Sequence, residues 1–247
     1  MSERRLALVT GGARRVGRAI ALELARAGCD VLITYNASES EARSASAEIE
    51  RVGVRARAEA LDLNDLERVE RFSERLAKEL PRVDVLVHNA SIYFPTPLAS
   101  LSPRSAEDFM HVNALAPLVL SRALAPRLAE RGRGSIVAMV DMHALGRPRV
   151  GMSAYAMSKA ALVEMVRSLA RELAPAVRVN GVAPGVVAWP ESGYEADRAM
   201  QQRYLQRVPM GRAGTPEDAA GAVRWLALDA PYVTGEIVRV DGGRWLA

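Results

Sequence analysis

The chain has 247 residues, 49% of them apolar, which suits one large α/β domain with a sizeable core. Its formal net charge of +4 comes mostly from arginines scattered along helical stretches, whereas a nucleic-acid surface would gather them into runs. Cys29 is the single cysteine, which excludes an intrachain disulfide and a cysteine-based zinc site. The start MSERRLALVT has no long apolar signal core, and no apolar run reaches the roughly 18 residues of a membrane span, so a cytoplasmic protein with no membrane partner is expected.

In chain order, expected strands are Leu6–Val9, Asp30–Thr34, Arg55–Ala60, Val83–Val87, Ser135–Val140, Val177–Val182 and Ile237–Val240. Helical stretches fall between them near 16–28, 38–52, 65–79, 104–130, 152–174 and 215–228. This alternation predicts a single doubly wound α/β domain over 1–247, with a seven-stranded parallel sheet covered on both faces. The segment 186–214 breaks the rhythm with Pro190, Gly193, Pro209, Gly211 and Gly214. It is too long for an ordinary connection and is expected to form a substrate lid.

The first strand runs into Thr10-Gly11-Gly12-Ala13-Arg14-Arg15-Val16-Gly17 and then a helix. Glycines there let backbone N–H groups approach a pyrophosphate, and the helix N-terminus adds partial positive charge, although a plain tight turn has the same signature. After the second strand comes Tyr35-Asn36-Ala37-Ser38, with no acid before Glu39 to hold a ribose 2′-hydroxyl. Arg14 and Ser38 are therefore candidates for a 2′-phosphate, and NADPH is the expected cofactor. Asp62 follows the third strand and could accept from an adenine amino group; helix capping by it or by Asn64 is the plainer alternative.

Tyr155 and Lys159 stand four apart, on one helical face. An ammonium beside the phenol is expected to favour phenolate and make the tyrosine usable as an acid or base near neutrality, although this spacing alone more often marks a helical surface pair. His88, His111 and His143 are dispersed without acidic partners at ligand spacing, so structural roles and no metal are expected. Trp189, Tyr194 and Met200 are read equally as lid residues over the substrate or as lid packing.

Taken together, TGGARRVG, HNAS at 88–91, Asn113, YAMSK at 155–159, RVNGVAPG at 178–185 and YVTG with VDGG near the end resemble the short-chain dehydrogenase/reductase family, across essentially the whole chain. The resemblance implies a Rossmann fold and cofactor contacts from Gly11, Val16 and Gly17, from Tyr35 and Asn36, and from Asp62 and Leu63. It adds contacts from Asn89 and Ala90, from Pro184, Gly185 and Val187, and from Tyr155 and Lys159. It also gives Asn113 a role in bending its helix and holding a water that relays protons to Lys159. Similar proteins form dimers through the helices at 104–130 and 152–174 and complete tetramers with the last strand, so a homotetramer is expected.

Three departures narrow the resemblance. Asp141 stands where most members carry serine, Arg15 replaces the middle glycine of the turn, and Ser91-Ile92-Tyr93-Phe94-Pro95-Thr96-Pro97-Leu98 follows Asn89-Ala90. These resemble the pteridine reductases, which reduce pterins or dihydrofolate with NADPH. The resemblance then implies that Arg15 and Ser91 lie beside cofactor phosphate and pterin, and that Tyr93 stacks on the pterin. Asp141 and Tyr155 would share the protonation while Lys159 holds the nicotinamide ribose. A short-chain carbonyl reductase acting on a 3-oxoacyl thioester or sugar ketone, with Asp141 incidental, is the alternative. Asp141 to Tyr155 spans one residue more than the pattern, so the loop Met142–Ala154 is expected to bulge. Ala37 stands where pteridine reductases often have arginine, which leaves phosphate recognition to the turn. Trp189 stands where many members carry threonine, so that nicotinamide contact is expected from backbone alone.

Overall fold

The computed structural model describes residues 4–189 and 196–247. Its strands are β1 (Leu6–Val9), β2 (Asp30–Tyr35), β3 (Ala56–Ala60), β4 (Val85–His88), β5 (Gly134–Met139), β6 (Val177–Pro184) and β7 (Ile237–Val240). Its α-helices are α1 (Arg15–Arg26), α2 (Glu39–Arg51), α3 (Leu66–Glu79), α4 (Pro103–Met110), α5 (Ala116–Ala129), α6 (Ser153–Leu173), α7 (Arg198–Leu205) and α8 (Pro216–Arg224). The strands form one parallel sheet in the order β3-β2-β1-β4-β5-β6-β7, the α/β Rossmann-like single domain expected from the alternation.

Strand residues alternate between two cores, as a period of two requires when both faces are covered. Ala7, Val9, Val31, Ile33, Val85 and Val87 pack on the side of α1, α2 and α8. Leu8, Leu32, Leu86 and Ile136 face the side of α3, α5 and α6. The central strands are thus apolar on both sides, and their ends offer polar backbone to a ligand. The carboxyl ends of β1 and β4 lie at the reversal of strand order, which opens a crevice there.

Two expectations are corrected. The stretch 104–130 is not one helix, because a π-turn at His111–Leu115 separates α4 from α5. Pro117 has no N–H to give the carbonyl of residue 113, so the regular ladder fails at that point. A second π-turn, Trp225–Asp229, extends α8. The stretch 186–214, outside the expected helical stretches, carries α7. Pro190, Gly193 and Tyr194 of that stretch lie outside the described residues. Leu118 on α5 and Met157 on α6 are exposed. Among the described residues no helix is long and apolar enough to cross a membrane.

Candidate active site

The turn after β1 is built around missing side chains. Gly11 has φ +65°, and a Cβ on Gly17 would lie 2.1 Å from the Gly11 carbonyl oxygen. Thr10 Oγ1 accepts from the amides of Asn89 and Ala90 at 3.0 and 3.1 Å, and Asn89 Nδ2 donates to the carbonyls of residues 10 and 11. The turn is thereby tied to the end of β4. No side chain caps the N-terminus of α1 and no acid sits in its first turn, so its open amides face the cleft. Arg15 keeps a left-handed φ of +52°, a conformation that disfavours any side chain. Its Nη2 donates to the carbonyls of Ala188 and Trp189, each at 3.0 Å, linking the turn to the segment after β6.

A cleft of about 670 Å³ runs along the carboxyl ends of the strands. It brings together every expected cofactor residue: Gly11, Arg14, Arg15, Val16, Gly17, Tyr35, Asn36, Ser38, Asp62, Leu63, Asn89, Ala90, Ser91, Pro184, Gly185 and Val187. Tyr93, Asp141, Tyr155 and Lys159 line it too. Arg14 lies 3.8 Å from Glu41, both largely exposed, and Ser38 begins α2 without capping it by its side chain. The structure corrects the plainer reading of Asp62: α3 is capped by Asp65, while Asp62 Oδ1 accepts from the amide of Asn64. The glycine cradle and the uncapped helix fit the pyrophosphate of a dinucleotide.

At the catalytic end, Tyr155 donates its hydroxyl to Asp141 Oδ2 at 2.8 Å, although the two are fourteen positions apart. The loop after β5 opens with a 3₁₀ turn over Met142–Leu145, with Asp141 Oδ1 accepting from the amide of His143 and Gly146 left-handed at φ +118°. One carboxylate therefore caps the turn and holds the phenol. Lys159 stands on the same helical face, but its ammonium lies 6.0 Å from the Tyr155 ring centre and donates to the Met139 carbonyl at 2.8 Å. The phenol is accordingly not poised as phenolate. Burial, then the adjacent Asp141 charge, pushes Tyr155 well above the usual tyrosine value. Burial alone draws Lys159 down to about 8, against the opposing pull of Asp141.

Asn113 lies behind the wall and outside the cleft lining, wholly buried in the π-turn. Its Oδ1 accepts from the Ile92 amide and Ser91 Oγ, each at 3.0 Å. Its Nδ2 donates to the Ile92 carbonyl at 3.1 Å and to Ser158 Oγ at 3.0 Å. Ser91 Oγ is thus held by Asn113, while Ser91 and Arg15 both line the cleft. Tyr93 stands nearly perpendicular to Tyr155, ring centres 4.9 Å apart, with Phe109 on another side of Tyr155 at 6.0 Å. Of the three histidines, His88 is buried on Ser121 Oγ, His111 meets the Asn64 carbonyl and His143 the Arg147 carbonyl. Among the described residues no group of His, Cys, Asp or Glu could hold a metal.

Sequence reasoning missed Arg149 and Tyr204. Arg149 Nη1 donates to Tyr93 Oη at 2.5 Å, and Tyr204 accepts from the Val186 amide at 3.3 Å while its ring meets Trp189 at 5.5 Å. Met200 also lines the cleft. Arg149 sits in an aperiodic loop and Tyr204 in a stretch read as irregular, so neither carried a signal.

Comparison with known proteins bears on the whole chain. A family described as "Enoyl-(Acyl carrier protein) reductase" matches residues 11–244. The 3-oxoacyl-[acyl-carrier-protein] reductase FabG of Aquifex aeolicus is 32% identical over 241 residues, 97% of this chain and 96% of that one. A blue fluorescent protein from a metagenomic library, solved in complex with NADPH, is 35% identical, with a TM-score of 0.89 and 97% of each chain covered. Acetoin dehydrogenase YohF from Salmonella typhimurium is 31% identical, with a TM-score of 0.89, 99% of this chain and 97% of that one being covered. None of these is named a pteridine reductase; their names back the carbonyl alternative better than the pterin reading. Sequence match, sheet order and cofactor cradle agree that the chain belongs to the short-chain dehydrogenase/reductase family of NAD(P)-dependent oxidoreductases.

Proposed function

We propose that the chain is an NADPH-dependent reductase whose substrate is a planar nitrogen heterocycle of the pterin or dihydrofolate class. The observation that carries this reading is the Asp141 carboxylate on the Tyr155 hydroxyl at 2.8 Å, in the place where the family's serine was expected. A serine can only relay a proton through its hydroxyl, whereas a carboxyl next to a phenol can deliver one to a ring nitrogen. Tyr93 at the mouth adds an aromatic surface against which such a ring can pack.

In this reading Arg14 and Ser38 hold the 2′-phosphate, which favours NADPH over NADH, and the open amides of α1 hold the pyrophosphate. Lys159 holds the nicotinamide ribose and Pro184, Gly185 and Val187 border the ring. NADPH when bound supplies the hydride. The Asp141–Tyr155 pair supplies the proton to the substrate nitrogen, and Asn113 keeps the wall behind them in place. The segment 186–214 serves as lid, and exposed Leu118 and Met157 lie on the helices expected to pair in a homotetramer.

Reduction of a 3-oxoacyl thioester or another ketone is the second reading, favoured by the names of the relatives. There Tyr155 protonates the carbonyl oxygen and Asp141 only caps its loop. The readings separate when NADPH oxidation is followed with dihydrobiopterin, dihydrofolate and an acetoacetyl thioester, in wild type and Asp141→Ser. The pterin reading expects pterin turnover in wild type and a loss of roughly a hundredfold in kcat in the variant. Turnover of the thioester alone, or pterin turnover that survives the substitution, would sink it.

A further inference from the structure

Arg149 belongs to none of the expected sites, yet it lines the mouth of the cleft on the loop between Asp141 and Tyr155. It donates to Tyr93 Oη at 2.5 Å, and two residues on, the Gly151 carbonyl accepts from the amide of Thr96 at 2.7 Å. These contacts tie the loop that carries Asp141 to the segment that carries Tyr93. Tyr93 is 37% exposed and stands on a stretch without regular structure, and the Arg149 bond fixes the hydroxyl end of its ring. Held there, it meets Tyr155 at 83° and the two rings form a corner, with Asp141 beside the hydroxyl of Tyr155.

We propose that Arg149 is a positioning residue that sets substrate choice: by holding the Tyr93 hydroxyl it keeps that corner in the shape that receives a planar ring. The proposal deepens the pterin reading and rests on it for the class of substrate. Its physical content is separate, namely that Arg149 and Tyr93 act as one unit. Removing either end of one tether costs as much as removing both, whereas two independent contacts add. Arg149→Met removes the donor and keeps much of the stem, and Tyr93→Phe removes the acceptor and keeps the ring.

The experiment is steady-state kinetics of both single variants and the double variant, with NADPH and either dihydrobiopterin or an acetoacetyl thioester. Each single variant is expected to raise KM for dihydrobiopterin by about tenfold with kcat changed by less than about threefold, and the double variant to match the singles. Arg149→Lys, which keeps a donor, should recover part of the loss. Unchanged KM, additive effects, or a fall in kcat and melting temperature in step with KM would overturn the role of Arg149. A wild type that reduces the thioester and no pterin overturns the pterin reading alone. The coupling is then read from the same cycle on the thioester, where additivity overturns the proposal. A wild type inactive on both overturns both.

Discussion

An ammonium taken out of water must be compensated by donors' partners, and Lys159 has one acceptor at hydrogen-bonding distance, the Met139 carbonyl. With its folded value near 8 against 10.5 in the open chain, the native state binds fewer protons than the unfolded one between those pH values. Stability of the cofactor-free protein from this group therefore rises with pH across that window, and below about 8 the full penalty is in force. Lys159→Met should melt higher than wild type at pH 7, with the gap closing toward pH 10.5; a variant that melts lower at pH 7 would contradict this. The residue was legible from its spacing to Tyr155, but its partner was not. A separation of four fixes a helical face, whereas the direction of a flexible side chain depends on the neighbouring strand, and here the end of β5 supplied a carbonyl. Arg15 was likewise visible as a cation in the turn, while its bonds to Ala188 and Trp189 span most of the chain and leave no local trace.

The π-turn shows the same division at the level of an element. Asn113 serves the Ile92 amide and carbonyl, Ser91 Oγ and Ser158 Oγ from a wholly buried position. Asn113→Ala removes the partner of the buried Ser158 hydroxyl and of the half-buried Ile92 amide and carbonyl, a loss of about 2–5 kcal/mol, read as a fall in denaturation midpoint. A variant as stable as wild type would show that water replaces the amide. One extra residue in a turn hardly disturbs apolar periodicity, so 104–130 read as continuous, and Pro117 was the local hint of a break. α7 escaped for another reason. It has eight residues, none buried, and so lacks the apolar stripe by which a helix is recognised in sequence.

For the whole molecule, sheet and order of elements were legible because burial on both faces leaves continuous apolar runs, and alternation with helices leaves few topologies. Substrate class was less so, because it depends on where two loops meet. Buried titratable groups also set how the fold answers acid. His88 is fully enclosed at the end of β4 and burial draws it from 6.5 to about 3. Between those values the unfolded chain takes up a proton that the native state refuses, so stability falls as pH drops through that window. Burial raises Asp30, but its bonds to Arg55 outweigh that and hold it below the usual carboxylate range, so its contribution is lost only as pH falls below the ordinary value of 3.8. His88→Gln should therefore flatten melting temperature against pH between about 6.5 and 4.5, and a slope equal to that of wild type would refute the assignment.

The loop from Met142 to Met152 has a consequence for how such a protein can change. Its two ends are posts: Asp141 is fastened to the amide of His143 and the hydroxyl of Tyr155, and Tyr155 is anchored in α6. Carboxylate and phenol meet at 2.8 Å with the loop thrown out between them. A change of loop length at 146–151 is therefore expected to leave the Asp141–Tyr155 contact in place. If Arg149 sets substrate choice as proposed, a change of length in that stretch would alter substrate preference through Tyr93 and leave the Asp141–Tyr155 contact as it is.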